Sequence, residues 1–360
     1  MLLSLPVELV ERIVRLALPD EMTSTTYGER QATLRACCLV SSGMRAVAQP
    51  ILEEACWIRH DRSIGWDEAQ QTLSRISKCL RSLWVQEHWE EKADDFAAFL
   101  PLCKRLRELR LCGWRAFSLC TLKDLPVLRR LGLCDLCLDS PSCALPQVEE
   151  LSLWCLNALG KDQQSILTPE TFPSLRHLTF YGDMAGSPFP VPSLVSSLIS
   201  ITVNEFDIVH DPAAYEHPST PRLVRVYHDY LDPGTWFSLC SNAEHVQLLR
   251  GLDWPESLSN DILEDLAEDL ENHSAIPSIR LRLIYLPSAY SACVCGVCQQ
   301  CNNHGRFQRA CAARGIAVDS EDYDDEYGAR DVSRKFAAYA EQKKRQREEE
   351  EIRAGEELAV

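Results

Sequence analysis

The chain reads as an α/β protein. A short N-terminal helical module is followed by a long run of short parallel strands, which helical or irregular returns join into a curved sheet, and then by a charged helical tail. Three observations predict this. Apolar residues recur at three- and four-residue spacing over residues 1–58, a spaced apolar core recurs at near-regular intervals between about 78 and 285, and charged residues displace apolar ones after 318. The domain organisation these imply is 1–58, 59–318 and 319–360.

The first stretch opens Leu2-Leu3-Ser4-Leu5-Pro6-Val7-Glu8-Leu9. Pro6 suits a first helical turn, where a missing N–H costs nothing, Ser4 precedes it as a cap, and Glu8 puts negative charge at the helix N-terminus. Leu5, Leu9, Val10, Ile13, Val14 and Ala17 then form an apolar stripe that ends at Pro19. A second helix is predicted from about Glu29 to Ser41, carrying Leu34, Cys37, Cys38 and Val40. A third is predicted from about Ser42, carrying Met44, Val47 and Leu52. Three helices this short bury little apolar surface, so part of the stripe is expected to face a partner or the following domain.

The pattern Leu5-Pro6-x-Glu8-Leu9-x-x-x-Ile13, then Cys38-Leu39-Val40-Ser41, then Arg45-x-x-Ala48-x-Pro50-x-Leu52, resembles the F-box, with a long inter-helix insert similar to that of fungal F-box proteins. The resemblance implies docking on the Skp-type adaptor of a cullin–RING (SCF) ubiquitin ligase. The adaptor-facing positions it implies are Leu5, Pro6, Leu9, Ile13, Leu39 and Val40. Met44 stands where the family usually has Trp, which implies a weaker adaptor contact. The plainer alternative is a helical cap on a repeat protein.

Self-similarity marks the next 200 residues or so. Leu80-x-x-Leu83-x-Val85, Leu106-x-x-Leu109-x-Leu111, Leu128-x-x-Leu131-x-Leu133, Val148-x-x-Leu151-x-Leu153 and Leu175-x-x-Leu178-x-Phe180 share the L-x-x-L-x-L core of leucine-rich repeats. Weaker copies start at Leu198, Leu223, Ala243 and Ile279, the last read as Ile279-x-Leu281-x-Leu283. Pro126, Pro146, Pro173, Pro192 and Pro221 precede units, and such prolines are expected to stop a preceding return and set an extended start to the strand. Trp114, Leu136, Leu156 and Asp183 occupy the places where a regular repeat has Asn or Cys, so uneven returns are expected.

Period-two alternation sends the residues between the core positions to the opposite face. Aromatics and Arg there are the types that dominate interface energies. The substrate-binding set read from this face is Trp84, Arg110, Arg130, Trp154, Tyr181 and Tyr227, against the alternative that such aromatics pack under neighbouring segments. Cys112 and Cys134 hold matching places and are expected side by side as thiols.

An insert at about 290–311 carries Cys293, Cys295, Cys298, Cys301 and His304. Four thiolates, or three with the imidazole, can close a tetrahedral zinc site. The spacing differs from two C-x-x-C pairs separated by a longer loop, so unliganded cysteines are the favoured reading and no cofactor is expected. A last helix with Phe307, Ala310 and Cys311 leads through Gly315 to a final strand at Ile316-Ala317-Val318. The tail beyond reads as solvated, partly disordered or a single helix, with Glu341–Arg345 and Arg347–Glu351 pairs at four-residue spacing.

A net charge of -16 argues against nucleic acid or an anionic membrane as partner. The 17 cysteines are scattered through apolar segments, as in a reducing compartment, and no signal peptide is read at Met1-Leu2-Leu3, which places the protein in cytoplasm or nucleus. No G-x-S-x-G, P-loop, dinucleotide fingerprint or H-E-x-x-H occurs, so catalysis is not expected. The function read from the sequence is a non-catalytic ligase subunit that holds a protein substrate. The alternative is a leucine-rich-repeat scaffold with no ligase role.

Overall fold

The structure is a computed structural model that describes residues 5–18, 24–59, 65–86, 93–113, 117–134, 138–139, 143–154, 168–181, 198–204, 223–227, 243–249, 258–272, 281–286, 298–319 and 326–358. The chain divides into two compact units, Met1–Ser174 and Leu175–Val360. Both are mixed α/β with a parallel sheet.

The first unit begins with α1 (Val7–Leu16), α2 (Ser24–Val40) and α3 (Ser42–Leu52). Pro6 is the residue on which α1 starts, its carbonyl accepting from Leu9 and Val10 N–H at 3.0 and 3.2 Å. Ser41 caps α3 by accepting from the Met44 N–H at 3.1 Å. Pro50 is tolerated in the last turn of α3. The three helices share one core of Val10, Val14, Leu18, Leu34, Cys38, Val47, Ala48 and Ile51. Helix α2 starts at Ser24, earlier than the expected Glu29. A tertiary contact holds the extra turn, since the Tyr27 hydroxyl accepts from the Trp57 N–H at 3.2 Å and the two rings meet edge-on at 5.5 Å. Tertiary context thereby extends the helix beyond its expected start.

Arg15 joins this module to the sheet. Its guanidinium grips both carboxylate oxygens of Glu54 at 2.6 and 2.7 Å and also reaches Glu11 at 2.9 Å, and the Glu54 pairing drives its pKa further up. The Glu54 carbonyl then accepts from both Arg81 and Ser82 N–H, which sets the first step between strands.

The sheet of this unit is β1 (Ala55–Arg59), β2 (Ser82–Gln86), β3 (Glu108–Cys112), β5 (Arg130–Cys134) and β7 (Glu150–Trp154), parallel and in chain order. A small pair, β4 (Phe117–Ser118) and β6 (Leu138–Asp139), lies beside it in sequence. Each step repeats one backbone arrangement. The Arg81 carbonyl accepts from residues 107 and 108, that of Arg107 from 129 and 130, and that of Arg129 from 149 and 150. Leu83, Val85, Leu109, Leu111, Leu131, Leu133, Leu151 and Leu153 are all buried on one face. The returns shrink along the unit. Helix α4 (Trp66–Ile76) fills the first, α5 (Ala93–Phe99) with a 3-10 turn at Leu100–Leu102 the second, and a 3-10 turn at Leu119–Leu122 the third.

The prolines act differently from expectation. Leu128 N–H donates to the Leu125 carbonyl and Val148 N–H to that of Leu145, so Pro126 and Pro146 sit second in a closed turn, where a fixed φ is pre-set, rather than stopping a helix. Pro192 and Pro221 lie outside the described residues.

The second unit holds β8 (His177–Tyr181), β9 (Ser200–Asn204), β10 (Leu223–Tyr227), β11 (His245–Leu249), β12 (Leu283–Tyr285) and β13 (Ala317–Asp319), again parallel and in chain order. Helices α6 (Leu258–Asn272) and α7 (Gln299–Ala313) fill its last returns, and α8 (Glu326–Leu358) closes the chain. Val246, Leu248 and Ile284 pack with Leu263, Leu266, Leu270, Phe307, Ala310 and Cys311 of α6 and α7. Gly315, at φ +71°, ends α7 in the left-handed conformation and lets Gly315 and Ile316 N–H bond back to Ala312 and Cys311 carbonyls.

Two frames need correction. The last repeat runs Leu281-x-x-Ile284-x-Leu286, not Ile279-x-Leu281-x-Leu283, because β12 pairs Ile284 with Val246 and Val318. A one-residue slip inverts every side chain of a strand. Leu283 and Tyr285 therefore face away from α6 and α7. Likewise β10 pairs Leu223 with Ser200, which puts Leu223 on that same opposite face.

Candidate functional site

Two surfaces follow from the fold. On the N-terminal module, Val10 and Val14 turn into the three-helix core while the other side of α1 remains open. Leu9 is 47% and Ile13 43% exposed, and Leu5 and Pro6 are exposed beside them. At the end of α2, Leu39 and Val40 are 80% and 71% exposed although Cys38 just before them is in the core. All six residues expected to meet an adaptor thus stand at the surface, on or just ahead of helices braced by a single core. Val7 and Leu16 are exposed with them. Sequence reasoning passed over both, although Leu9, Ile13 and Leu16 continue one four- and three-residue stripe.

The second surface is the sheet face opposite the leucines. In the first unit the registers Ser82–Glu108–Arg130–Glu150, Trp84–Arg110–Gly132–Ser152 and Cys112–Cys134–Trp154 run across it. Glu108 organises its edge. Its carboxylate accepts from Ser82 Oγ at 3.2 Å, Trp84 Nε1 at 3.3 Å and Arg110 Nε at 2.8 Å. The Arg110 guanidinium lies 4.0 Å over the Trp84 ring, and Trp57 meets that ring edge-on at 5.4 Å.

Trp84 is consequently 6% exposed. It lies on the expected face but beneath Arg110, so the surface a partner would meet there is the guanidinium and not the indole. Arg130 pairs with Glu150 at 2.9 Å in the open. Cys112 and Cys134 Sγ atoms are 3.1 Å apart. Trp154 occupies its expected strand position in the first unit, and Tyr181 and Tyr227 theirs in the second, while their side chains lie outside the described residues.

Compared with models of protein families and with curated proteins, the chain matches none.

In the second unit the same face is a ladder of His177–Ser200–Leu223–His245–Leu283 and Thr179–Thr202–Arg225–Gln247–Tyr285. His177 Nδ1 and Ser200 Oγ are 2.7 Å apart, and Arg225 donates to Gln247 Oε1 at 3.0 Å and Thr202 Oγ1 at 3.4 Å. His245 and Gln247, which the sequence reading did not single out, are both buried, and burial pushes the His245 pKa down to about 4 against the opposing charge of Glu244.

Of the cysteine-rich insert, Cys293 and Cys295 lie outside the described residues. Cys298 precedes α7, and Cys301 and His304 follow at three-residue steps within it. His304 is drawn toward its neutral form by burial. Among the described residues no three His, Cys, Asp or Glu side chains converge to hold a metal. No described helix is long and apolar enough to cross a membrane.

Proposed function

We propose that the chain is the substrate receptor of an SCF-type cullin–RING ubiquitin ligase. Its N-terminal module is an F-box that docks on the Skp-type adaptor, and its parallel repeats are degenerate leucine-rich repeats that hold a protein substrate. The observation that carries this reading is the open apolar side of α1 and the end of α2. Five large apolar residues, Leu5, Leu9, Ile13, Leu39 and Val40, remain at the surface of helices that have already formed their own core. Large apolar side chains left in water by helices that already have a core favour a partner that covers them. The repeating backbone step between strands supports the second half, because it generates a face on which successive units present their intervening residues side by side.

On this reading the chain performs no bond chemistry. It raises the rate of ubiquitin transfer by holding a substrate near the loaded enzyme, so that reaction becomes effectively intramolecular. Co-purification with a Skp-type adaptor tests the proposal. The wild-type chain is expected to retain the adaptor, and Leu9→Asp with Ile13→Asp to lose it while the fold persists, since both side chains are already half in water. A wild-type chain that does not bind the adaptor at micromolar concentration overturns the ligase role and leaves a repeat scaffold.

A further inference from the structure

The tail helix α8 does something its charge-rich sequence hides. Val332 and Phe336 are completely buried, in a cluster with Leu223 of β10 and Tyr285 of β12 that Ile199, Leu283, Tyr339 and Ala340 flank. Those strand residues belong to the face opposite α6 and α7. Helix α8 therefore lies on the second unit's counterpart of the face that the sequence assigns to a substrate.

The contact is specific in its chemistry. His245 sits in an aromatic box, with ring centroids of Tyr339 at 4.4 Å, Phe336 at 5.1 Å and Tyr285 at 5.8 Å, and its Nδ1 lies 3.2 Å from the Tyr285 hydroxyl. The Tyr339 hydroxyl donates to the Glu244 carboxylate. Lys335 reaches Asp319 of β13 at 3.5 Å. Residues 332, 335, 336, 339 and 340 form one stripe at helical spacing. Beyond it the helix turns to its own ion pairs, Arg345 to Glu341 and Lys344 to Glu348, in the open. Among the described side chains of this 33-residue helix, a short segment thus makes the attachment.

Gln247 is fully buried in the same ladder, between Arg225 and Tyr285, and its Nε2 has no hydrogen-bond partner among the described residues. A buried amide donor left unpaired favours any occupant that brings an acceptor.

We propose that this face is a helix-binding site whose resident occupant is α8, and that its external ligand is an amphipathic helix of a partner protein. The ligand carries an aliphatic residue, Lys three positions on and aromatics at four and seven, with an acceptor side chain for the Gln247 amide. Occupancy by α8 stands independently of the ligase reading. Only naming the displacing helix as part of a substrate rests on it.

The test uses the full-length chain and a fluorescein-labelled peptide of residues 326–346, read by anisotropy. Wild-type protein, its site filled in cis, is expected to bind the peptide weakly. Phe336→Asp in the protein frees the site, and the peptide binds at least about tenfold more tightly, whereas a peptide carrying the same change does not bind. A second route does not disturb the core. Lys335→Glu repels Asp319 and is expected to raise peptide affinity about threefold, and adding Asp319→Lys reverses the gain. Equal peptide binding by wild type, Phe336→Asp and Lys335→Glu overturns the proposal. Adaptor co-purification is measured in parallel. If it fails for every form while peptide binding follows the expected order, the ligase reading falls and the helix site stands.

Discussion

Helices α1 and α8 invert the usual relation between composition and burial. The ten residues of α1 are rich in Val, Leu and Ile, yet Leu9, Ile13 and Leu16 face water. The 33 residues of α8 are dominated by charge, yet Phe336 is 2% exposed. The difference lies in how many sides of each helix are apolar. Helix α1 is apolar on two, so its own core uses one and leaves the other for something else. Among its described side chains, helix α8 places one narrow stripe, Val332, Phe336, Tyr339 and Ala340, against the sheet. Apolar content therefore measures capacity for contact, and only the angular distribution shows whether the chain itself exhausts it.

The sharpest test of this contrast sets adjacent residues of α1 against each other. Val14→Asp places a charge in the three-helix core and should cost about 3 kcal/mol or more. Ile13→Asp, one residue away, should change stability by no more than about 0.5 kcal/mol. Hydrogen exchange in α1, α2 and α3 under mild denaturant reads both, and equal losses would erase the distinction between a core side and a docking side. For α8 the corresponding change is Phe336→Ala. It should lower local protection by about 3 kcal/mol in residues 332–340 and in β11, with the helices of the first unit unaffected.

Much of this was legible in the sequence, and the pattern of misses has a cause. Strands β2, β3, β5 and β7 of the first unit follow from L-x-x-L-x-L because that signal is local, whereas β1 begins inside residues 1–58, which were read as a helical module, and carries no copy of the pattern. The six positions of the N-terminal module were named through the F-box resemblance, and the structure places all six at the surface. What escaped depends on residues far apart. Leu283 looks like a core leucine position until β11 and β13 fix its register, and the frame Leu281-x-x-Ile284-x-Leu286 was the signal available for finding it. Trp84 reads as a free aromatic until Arg110, 26 residues on, lies across it. Docking of α8 needs β10, β11 and β12 in place before Val332, Phe336 and Tyr339 have anything to meet, although their four- and three-residue spacing was visible inside the charge.

His245 offers a way to weaken α8 without mutation. Its folded pKa, about 4, lies below the ordinary value of 6.5, because a charged imidazole would be desolvated among Tyr285, Phe336 and Tyr339, with Glu244 only partly compensating. The unfolded or detached state therefore binds the proton first. Stability from the neutral ring is fully present above pH 6.5 and is lost as pH falls toward 4. Exchange protection of residues 332–340 should fall over that window in the wild type and much less in His245→Asn. An unchanged slope would place the acid sensitivity elsewhere.

The smallest expected effect concerns two arginines of the first unit's sheet, which carry the same contrast on a single face. Arg110 has its guanidinium against Trp84 and bonds to Glu108, whose side chain is 11% exposed, whereas the Arg130 and Glu150 side chains are 53% and 41% exposed. Removing Arg110 uncovers an indole and leaves a buried carboxylate with Ser82 and Trp84 as its remaining donors among the described residues, so Arg110→Ala should cost about 1–2 kcal/mol, and high salt should change that little. Arg130→Ala removes a pair that water already solvates and should cost no more than about 0.5 kcal/mol, vanishing in about 1 M salt. If the two substitutions prove equal and equally salt-sensitive, Arg110 is held no more firmly than a surface charge, and Trp84 is open to a partner after all.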